Sequence, residues 1–300
     1  MQAREALNMA EGDVVSESVT DAERRLTSLP GVVSARINRV CCDDGKAIIY
    51  VGLEEKGAEI LRFREAPRGT IRLPDDVVQA GNEFDAALER AVERGDAGED
   101  HSNGHALMHD PAARAVEERF ITFAARDLPR LREVLHDSAD GEHRALAAEI
   151  LGYASDKRDV IADLVAAMAD PHEAVRNNAM RALWVIADVA RRSPALRLRV
   201  PPEPFVDLLN SPTWSDRNKA SLALMELSDR RDPALLAALR TRALPSLIEM
   251  ARWKSRGHAA AAVVLLGRAA GVPEKTIQAA LNRGAHQVVI DAALKRLGAR

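Results

Sequence analysis

In the second half of the chain the apolar positions follow a helical period, and the blocks that carry them repeat. Aligned on an arginine, four segments read Arg144-Ala-Leu-Ala147, Arg176-Asn-Asn-Ala179, Arg217-Asn-Lys-Ala220 and Arg256-Gly-His-Ala259. Seven residues after each arginine stands Leu151, Leu183, Leu224 or Val263, and nine before it Leu135, Ala167, Leu208 or Leu247. The arginines are 32, 41 and 39 residues apart. A period in this range predicts stacked helix pairs. The first helix of a pair ends in a turn, often with proline (Asp170-Pro171, Ser211-Pro212), and the arginine opens the second. Alanine three residues on lets two helix backbones approach, while the residue at seven fills the layer one turn away. One pair cannot bury its own apolar face, so stacked pairs share a continuous core. Residues 111–300 accommodate about five pairs, with the segment from Pro273 onward capping the stack.

Ahead of the repeats the pattern changes. Thr20 to Leu29 reads as a short helix that Pro30-Gly31 ends. Two strand-like runs follow, Val32–Cys42 and Lys46–Leu53, joined by Asp43-Asp44-Gly45 as a hairpin turn. Pro74 with Asp75-Asp76 opens a helix to about Arg94, with Val77, Val78, Phe84, Ala87 and Val92 on one side. The stretch from Glu93 to Gly104, rich in glycine and acidic residues, reads as a linker. The expected organisation is a small α+β domain over 1–95, a linker over 96–110 and a helical stack over 111–300.

The repeats resemble HEAT repeats, including the HEAT-like type of phycobilisome lyases. The best copy is Asp170-Pro-His-Glu-Ala-Val-Arg176-Asn-Asn-Ala-Met-Arg-Ala-Leu183, and the resemblance runs from about Asp110 to Leu266, with Asp110-Pro111-Ala-Ala-Arg114 as a degenerate first copy. It implies a mainly α protein, the small N-terminal α+β domain leading into a right-handed HEAT-like α-solenoid. It also implies that Asp170 and the arginines 144, 176, 217 and 256 pair structurally, bracing one turn against another. In the usual HEAT arrangement Asn177, Asn178, Arg181, Trp184, Asn218 and Lys219 would project from the shared inner face. Arg144 and Arg256 lack the preceding valine, and Ser255 replaces the acidic residue, so those copies depart from the pattern. In the N-terminal part, Leu29-Pro-Gly-Val32 with Lys46-Ala-Ile-Ile-Tyr-Val51 is similar to the middle of the ferredoxin-like heavy-metal-associated domain. The metal-binding CxxC loop of that family is missing, so the likeness implies a fold only.

Composition agrees with close-packed helices: hydrophobic residues make up 47% of the chain and aromatics only 3%, a mix poorly suited to a β-sandwich. No apolar run approaches the ~20 residues of a membrane span. Cys41 and Cys42 are adjacent and so unsuited to bridging each other, which points to a reducing compartment. The N-terminus has no apolar signal region, so the expected location is cytoplasmic, or exported if the start is processed. Residues 1–110 carry 13 basic and 22 acidic side chains, net −9, and residues 111–300 carry 29 and 23, net +6. The last 120 residues hold 20 basic against 10 acidic. Arginine outnumbers lysine 35 to 7, as a GC-rich bacterial genome would produce.

For chemistry, His101, His105 and His109 recur every fourth residue, but Asn103-Gly104 break the helix a metal stripe would need. No nucleophile elbow, phosphate loop, dinucleotide fingerprint or zinc-protease helix occurs, and neither metal nor cofactor is implied. Trp214, Trp253 and Lys254, lying among basic residues, are candidate partner-binding positions together with the inner-face set. These features favour a non-catalytic scaffold that binds a protein partner, an acidic one if the basic surplus is functional. Nucleic-acid binding, including excision of alkylated bases, is the alternative if the basic region lines the inner face, and a chromophore or prosthetic-group lyase or chaperone is another. The acidic N-terminal domain would then dock on the basic repeats and close their groove.

Overall fold

The computed structural model describes residues 2–13, 18–43, 46–58, 61–96 and 98–298, with the backbone alone for residues 2 and 41–43. The N-terminal unit runs α1 (Gln2–Leu7), α2 (Val19–Thr27), β1 (Val32–Asp43) and β2 (Lys46–Glu55). After an extended stretch come α3 (Asp75–Glu93) and a short hairpin, β3 (Glu99–Asp100) and β4 (Leu107–Met108). The remainder is helical: α4 (Pro111–Arg126), α5 (Leu128–Asp137), α6 (Gly141–Leu151), α7 (Arg158–Ala167), α8 (Glu173–Arg192), α9 (Glu203–Leu208), α10 (Trp214–Leu227), α11 (Pro233–Arg242), α12 (Leu244–Ala251), α13 (Arg256–Ala269), α14 (Glu274–Asn282) and α15 (His286–Leu297). The protein is thus a small α+β unit followed by a helical solenoid.

The pairs are α5/α6, α7/α8, α9/α10, α12/α13 and α14/α15, and their second members pack in series, α6 on α8, α8 on α10, α10 on α13 and α13 on α15. The alanines at the third position, Ala147, Ala179, Ala220 and Ala259, are all buried, as are Leu151, Leu183, Leu224 and Val263. One apolar core runs without a break from Leu73 to Ala293. Helix starts are fixed by capping. Asp110 accepts hydrogen bonds from the backbone N–H groups of Ala112 and Ala113 with Pro111 as first helical residue, and Asp140, Asp232 and Ser255 cap α6, α11 and α13.

The N-terminal unit has its own small core, Ala22 and Leu26 of α2 against Ala35 and Ile37 of β1. β1 pairs antiparallel with β2, Ile37 opposite Val51 and Asn38 opposite Tyr50. Ala35, Ile37, Ile49, Val51 and Leu53 share the small core with α2, whereas Asn38, Val40, Tyr50 and Gly52 lie toward the repeats. The sheet has two strands among the described residues, so the ferredoxin-like likeness extends no further than this helix and hairpin. The turn at 44–45 and the side chains of Cys41 and Cys42 lie outside the described residues.

Two segments join the solenoid more closely than the sequence pattern implies. α3 packs along α4, and Leu73, Val77, Ala80 and Phe84 belong to the large core rather than to that of the hairpin. Residues 98–109, in the predicted linker, form the β3–β4 hairpin, held where the Met108 N–H donates to Glu117 and the Tyr153 hydroxyl donates to the Ala106 carbonyl.

Four contacts spread along the chain from Glu11 to Gly69 meet the turns inside the helix pairs, against the direction of the stack. Glu11 reaches Lys254, Gly52 lies on Pro212, the Arg64 N–H donates to the Ala169 carbonyl, and Gly69 exchanges backbone hydrogen bonds with residues 137 and 139. Four successive turns are met in reverse order.

Candidate functional site

The turns are tied to one another by buried ion pairs. Arg144 donates to both oxygens of Asp170, at 2.7 and 2.9 Å, and Arg176 does the same to Asp216, at 2.8 and 3.0 Å. Each arginine therefore holds a carboxylate of the next pair. Burial pushes the Asp170 carboxyl up, but the hydrogen bonds from Arg144 and Arg64 outweigh it and hold it below the usual carboxylate range. In the third copy Ser211 occupies the position of Asp170. The carboxylate comes instead from Asp216 on α10, and the Ser211 hydroxyl donates to it at 2.7 Å. Arg217 holds Glu249, which is largely exposed. Arg256 stands apart: it is exposed and makes no hydrogen bond or ion pair with the described residues, and the turn of the next pair that it faces, Arg283-Gly284-Ala285, carries no carboxylate.

On the other side of the second helices lies a cleft of about 880 Å³. α6, α8 and α10 form its floor, α3 one wall, and Val40 of β1 with His258 of α13 the far end. Gly81 sets the approach of α3, since a Cβ there would sit 2.7 Å from Leu146 Cδ2. Asn177, Asn178, Arg181, Trp214, Asn218 and Lys219 all line the cleft. Trp184 does not: its ring packs edge-on against His101 at 4.9 Å.

Charge in the cleft is organised by Arg181, which is buried and ion-paired to Glu99 at 3.0 Å, Glu149 at 3.1 Å and Glu117 at 3.2 Å. One guanidinium cannot neutralise three carboxylates. For Glu99, burial acts upward, but the Arg181 charge and the His101 hydrogen bond outweigh it and hold the group at about 2. Glu149 is pushed up to about 7, by burial first, with Arg181 opposing and the neighbouring Asp85 and Glu117 adding to the rise. Burial also raises Glu117. Lys219, half-buried, makes no direct ion pair with the described residues, and burial pulls its ammonium below the usual range. The side-chain amides of Asn82 and Asn218 likewise make no hydrogen bond to described residues, whereas Asn178 is tied to the Ala145 carbonyl. Asp85, Asp140 and Glu142 complete an acidic lining.

Trp214 and Trp253 sit where the hairpin meets the repeats. Tyr50 stacks on Trp214 at 5.4 Å and meets Trp253 edge-on at 4.9 Å, and its hydroxyl lies 2.7 Å from His258 Nδ1. Asn38 accepts from the Trp214 N–H, so a hairpin side chain caps α10. Lys254 reaches Glu11 in an exposed pair.

The three linker histidines do not converge. His101 bonds Glu99, and His105 lies 3.1 Å from the Lys157 amine and stacks on Tyr153. Burial, with the Lys157 charge, holds His105 at about 4, and burial lowers Lys157 to about 8. Among the described residues no three His, Cys, Asp or Glu side chains form a group able to hold a metal ion.

Part of the basic complement of the C-terminal half is paired within the protein, while Arg197, Arg199, Arg230, Arg252 and Arg256 make no ion pair with the described residues. Arg191 and Arg192 bind Asp188, Arg231 and Arg268 bind Glu274, Arg242 binds Asp207, and Arg181 and Arg217 bind glutamates. The surface facing the cleft is acidic, the reverse of what nucleic-acid binding there requires. Asp85, Glu99 and Glu149 are absent from the sequence prediction, because only the folded chain brings α3 and the β3–β4 hairpin over α8.

Residues 128–206 match the family described as HEAT repeats, over a stretch that includes the Arg144–Asp170 pair and Arg176. A search of curated proteins found no match. With its stacked pairs the chain is a HEAT-repeat helical protein. No helix among the described residues is long and apolar enough to cross a membrane.

Proposed function

We propose that the protein is a non-catalytic binding module whose inner-face cleft holds an extended segment of a protein partner bearing a lysine or arginine. HEAT repeats generally mediate protein–protein interaction. The carrying observation is the cleft of about 880 Å³ with Asp85, Glu99, Asp140, Glu142 and Glu149 in its lining. A basic side chain entering it would meet carboxylates that Arg181 only partly neutralises. Asn82 and Asn218 can each donate to and accept from a partner peptide group, and the Lys219 ammonium can donate to a partner carbonyl. An acidic partner has no such support in this cleft, whose lining carries more carboxylates than cations. The adjacent cysteines favour a reducing compartment for this encounter.

The test is a peptide-display selection on the purified full chain. The expected result is enrichment of sequences with lysine or arginine, with affinity falling several-fold in Asp85→Asn and in raised salt. Enrichment of acidic sequences, or affinity indifferent to both changes, would overturn the proposal.

A further inference from the structure

Trp214 separates the acidic cleft from a second pocket of about 320 Å³ with the opposite chemistry. This pocket opens between β2 on one side and the start of α10 and the α12–α13 turn on the other. Three of the chain's ten aromatic residues, Tyr50, Trp214 and Trp253, all half-buried, form its walls. Its charged residues are Arg217, Arg252, Lys254 and Glu249. Glu249 is already held by Arg217 through two hydrogen bonds. Arg252 is exposed, and its side chain makes no hydrogen bond or ion pair with the described residues. Among the described residues Lys254 pairs only with Glu11, in an exposed contact worth little in water. Two buried donors, Trp214 Nε1 and Arg217 Nε, have no acceptor among the described residues.

Packing the hairpin onto the repeats accounts for the aromatic contacts, but it does not call for cations at the rim or for donors without acceptors. We propose that this pocket binds a small planar aromatic phosphate, its ring against Trp253 and Tyr50 and its phosphate on Arg252 and Lys254. Aromatic rings stack on such walls without strict demands on identity. A guanidinium beside an ammonium suits a phosphate dianion, with arginine able to grip two oxygens at once. The volume lies at the lower end of the range for small-molecule sites, about 300–1,000 Å³. Because β2 supplies one wall, the ligand would bind the docked hairpin and tie it to the repeats. Nothing in this depends on a partner in the cleft.

Calorimetric titration of the full chain with adenosine monophosphate and with phenyl phosphate tests the inference, with adenosine and inorganic phosphate as the two halves of the ligand. Both aromatic phosphates are expected to bind and to quench tryptophan fluorescence, with each half at least about tenfold weaker. Arg252→Ala, at an exposed position, should weaken binding on the order of tenfold. Trp253→Phe should retain binding and Trp253→Ala lose it, while Lys275→Ala on α14 changes nothing. The proposal is overturned if neither aromatic phosphate binds, if inorganic phosphate binds as tightly as both, or if Arg252→Ala binds like the parent.

Discussion

At the scale of single residues, the position of one carboxylate separates two ways of building the same brace. Asp170 stands six residues before its arginine, whereas Asp216 stands directly before Arg217, and Ser211 occupies the vacated position while bonding the replacement. Removing one partner from a buried pair leaves an uncompensated charge, at a cost of about 3–5 kcal/mol. Asp216→Ala should therefore lose stability of that order in denaturant unfolding, and adding Ser211→Asp should recover much of it. If the double variant is no more stable than the single one, the two positions are not equivalent.

Glu149 gives a second residue-scale prediction. Its pKa is raised in the fold to about 7, so its contribution to stability is full below its unfolded value and is lost as pH rises through 7. Glu149→Gln should gain on the parent between pH 5 and 8, its melting temperature rising relative to the parent by a few degrees, at roughly 2–4 °C per kcal/mol. A constant gap would mean that Glu149 does not titrate there. The same ionisation adds negative charge to the cleft, so a lysine peptide should bind the parent more tightly at pH 8 than at pH 6, with Glu149→Gln showing a smaller change.

Among elements, the hairpin is held to the repeats by a few specific contacts. A Cβ on Gly52 would lie 1.8 Å from the Pro212 carbonyl oxygen, which is backbone and cannot turn aside. Gly52→Ala should therefore loosen β1–β2 from the repeats while leaving the large core intact. Hydrogen exchange should show faster exchange at the Trp214 N–H, which loses Asn38, with little change in the middle of α8. If both regions exchange as in the parent, the hairpin does not depend on that close approach.

What could be read in the sequence follows from the range of the interactions. The helix pairs, the hairpin and the cap at Asp110-Pro111 rest on neighbours within a few residues, and the alanine at the third position announces the helix contacts. The fold class and the resemblance to HEAT repeats agree with the structure. α3 was legible as a helix, but not its place over α6, since its apolar side, Val77 and Phe84, would suit either core. Arg181 illustrates the limit for the cleft. It sits on the correct face, yet its partners Glu99 and Glu117 lie 82 and 64 residues away, and no local pattern marks them. Charge counted by halves could not show this either, because Arg181 binds carboxylates on both sides of the division, Glu99 and Glu117.

At the scale of the whole molecule, the chain doubles back on itself. Its N-terminal segment lies along the turns of the stack, while α3 and the β3–β4 hairpin cover the inner face and leave a bounded acidic cleft. The central claim is that this cleft is where a partner binds. The most direct test is hydrogen exchange on the full chain with and without a bound lysine-containing peptide. The account predicts slowed exchange in α3 and in the cleft-facing turns of α6, α8 and α10, with α5, α7 and α9 unchanged. Protection confined to those outer helices, or to the last pair, would contradict it.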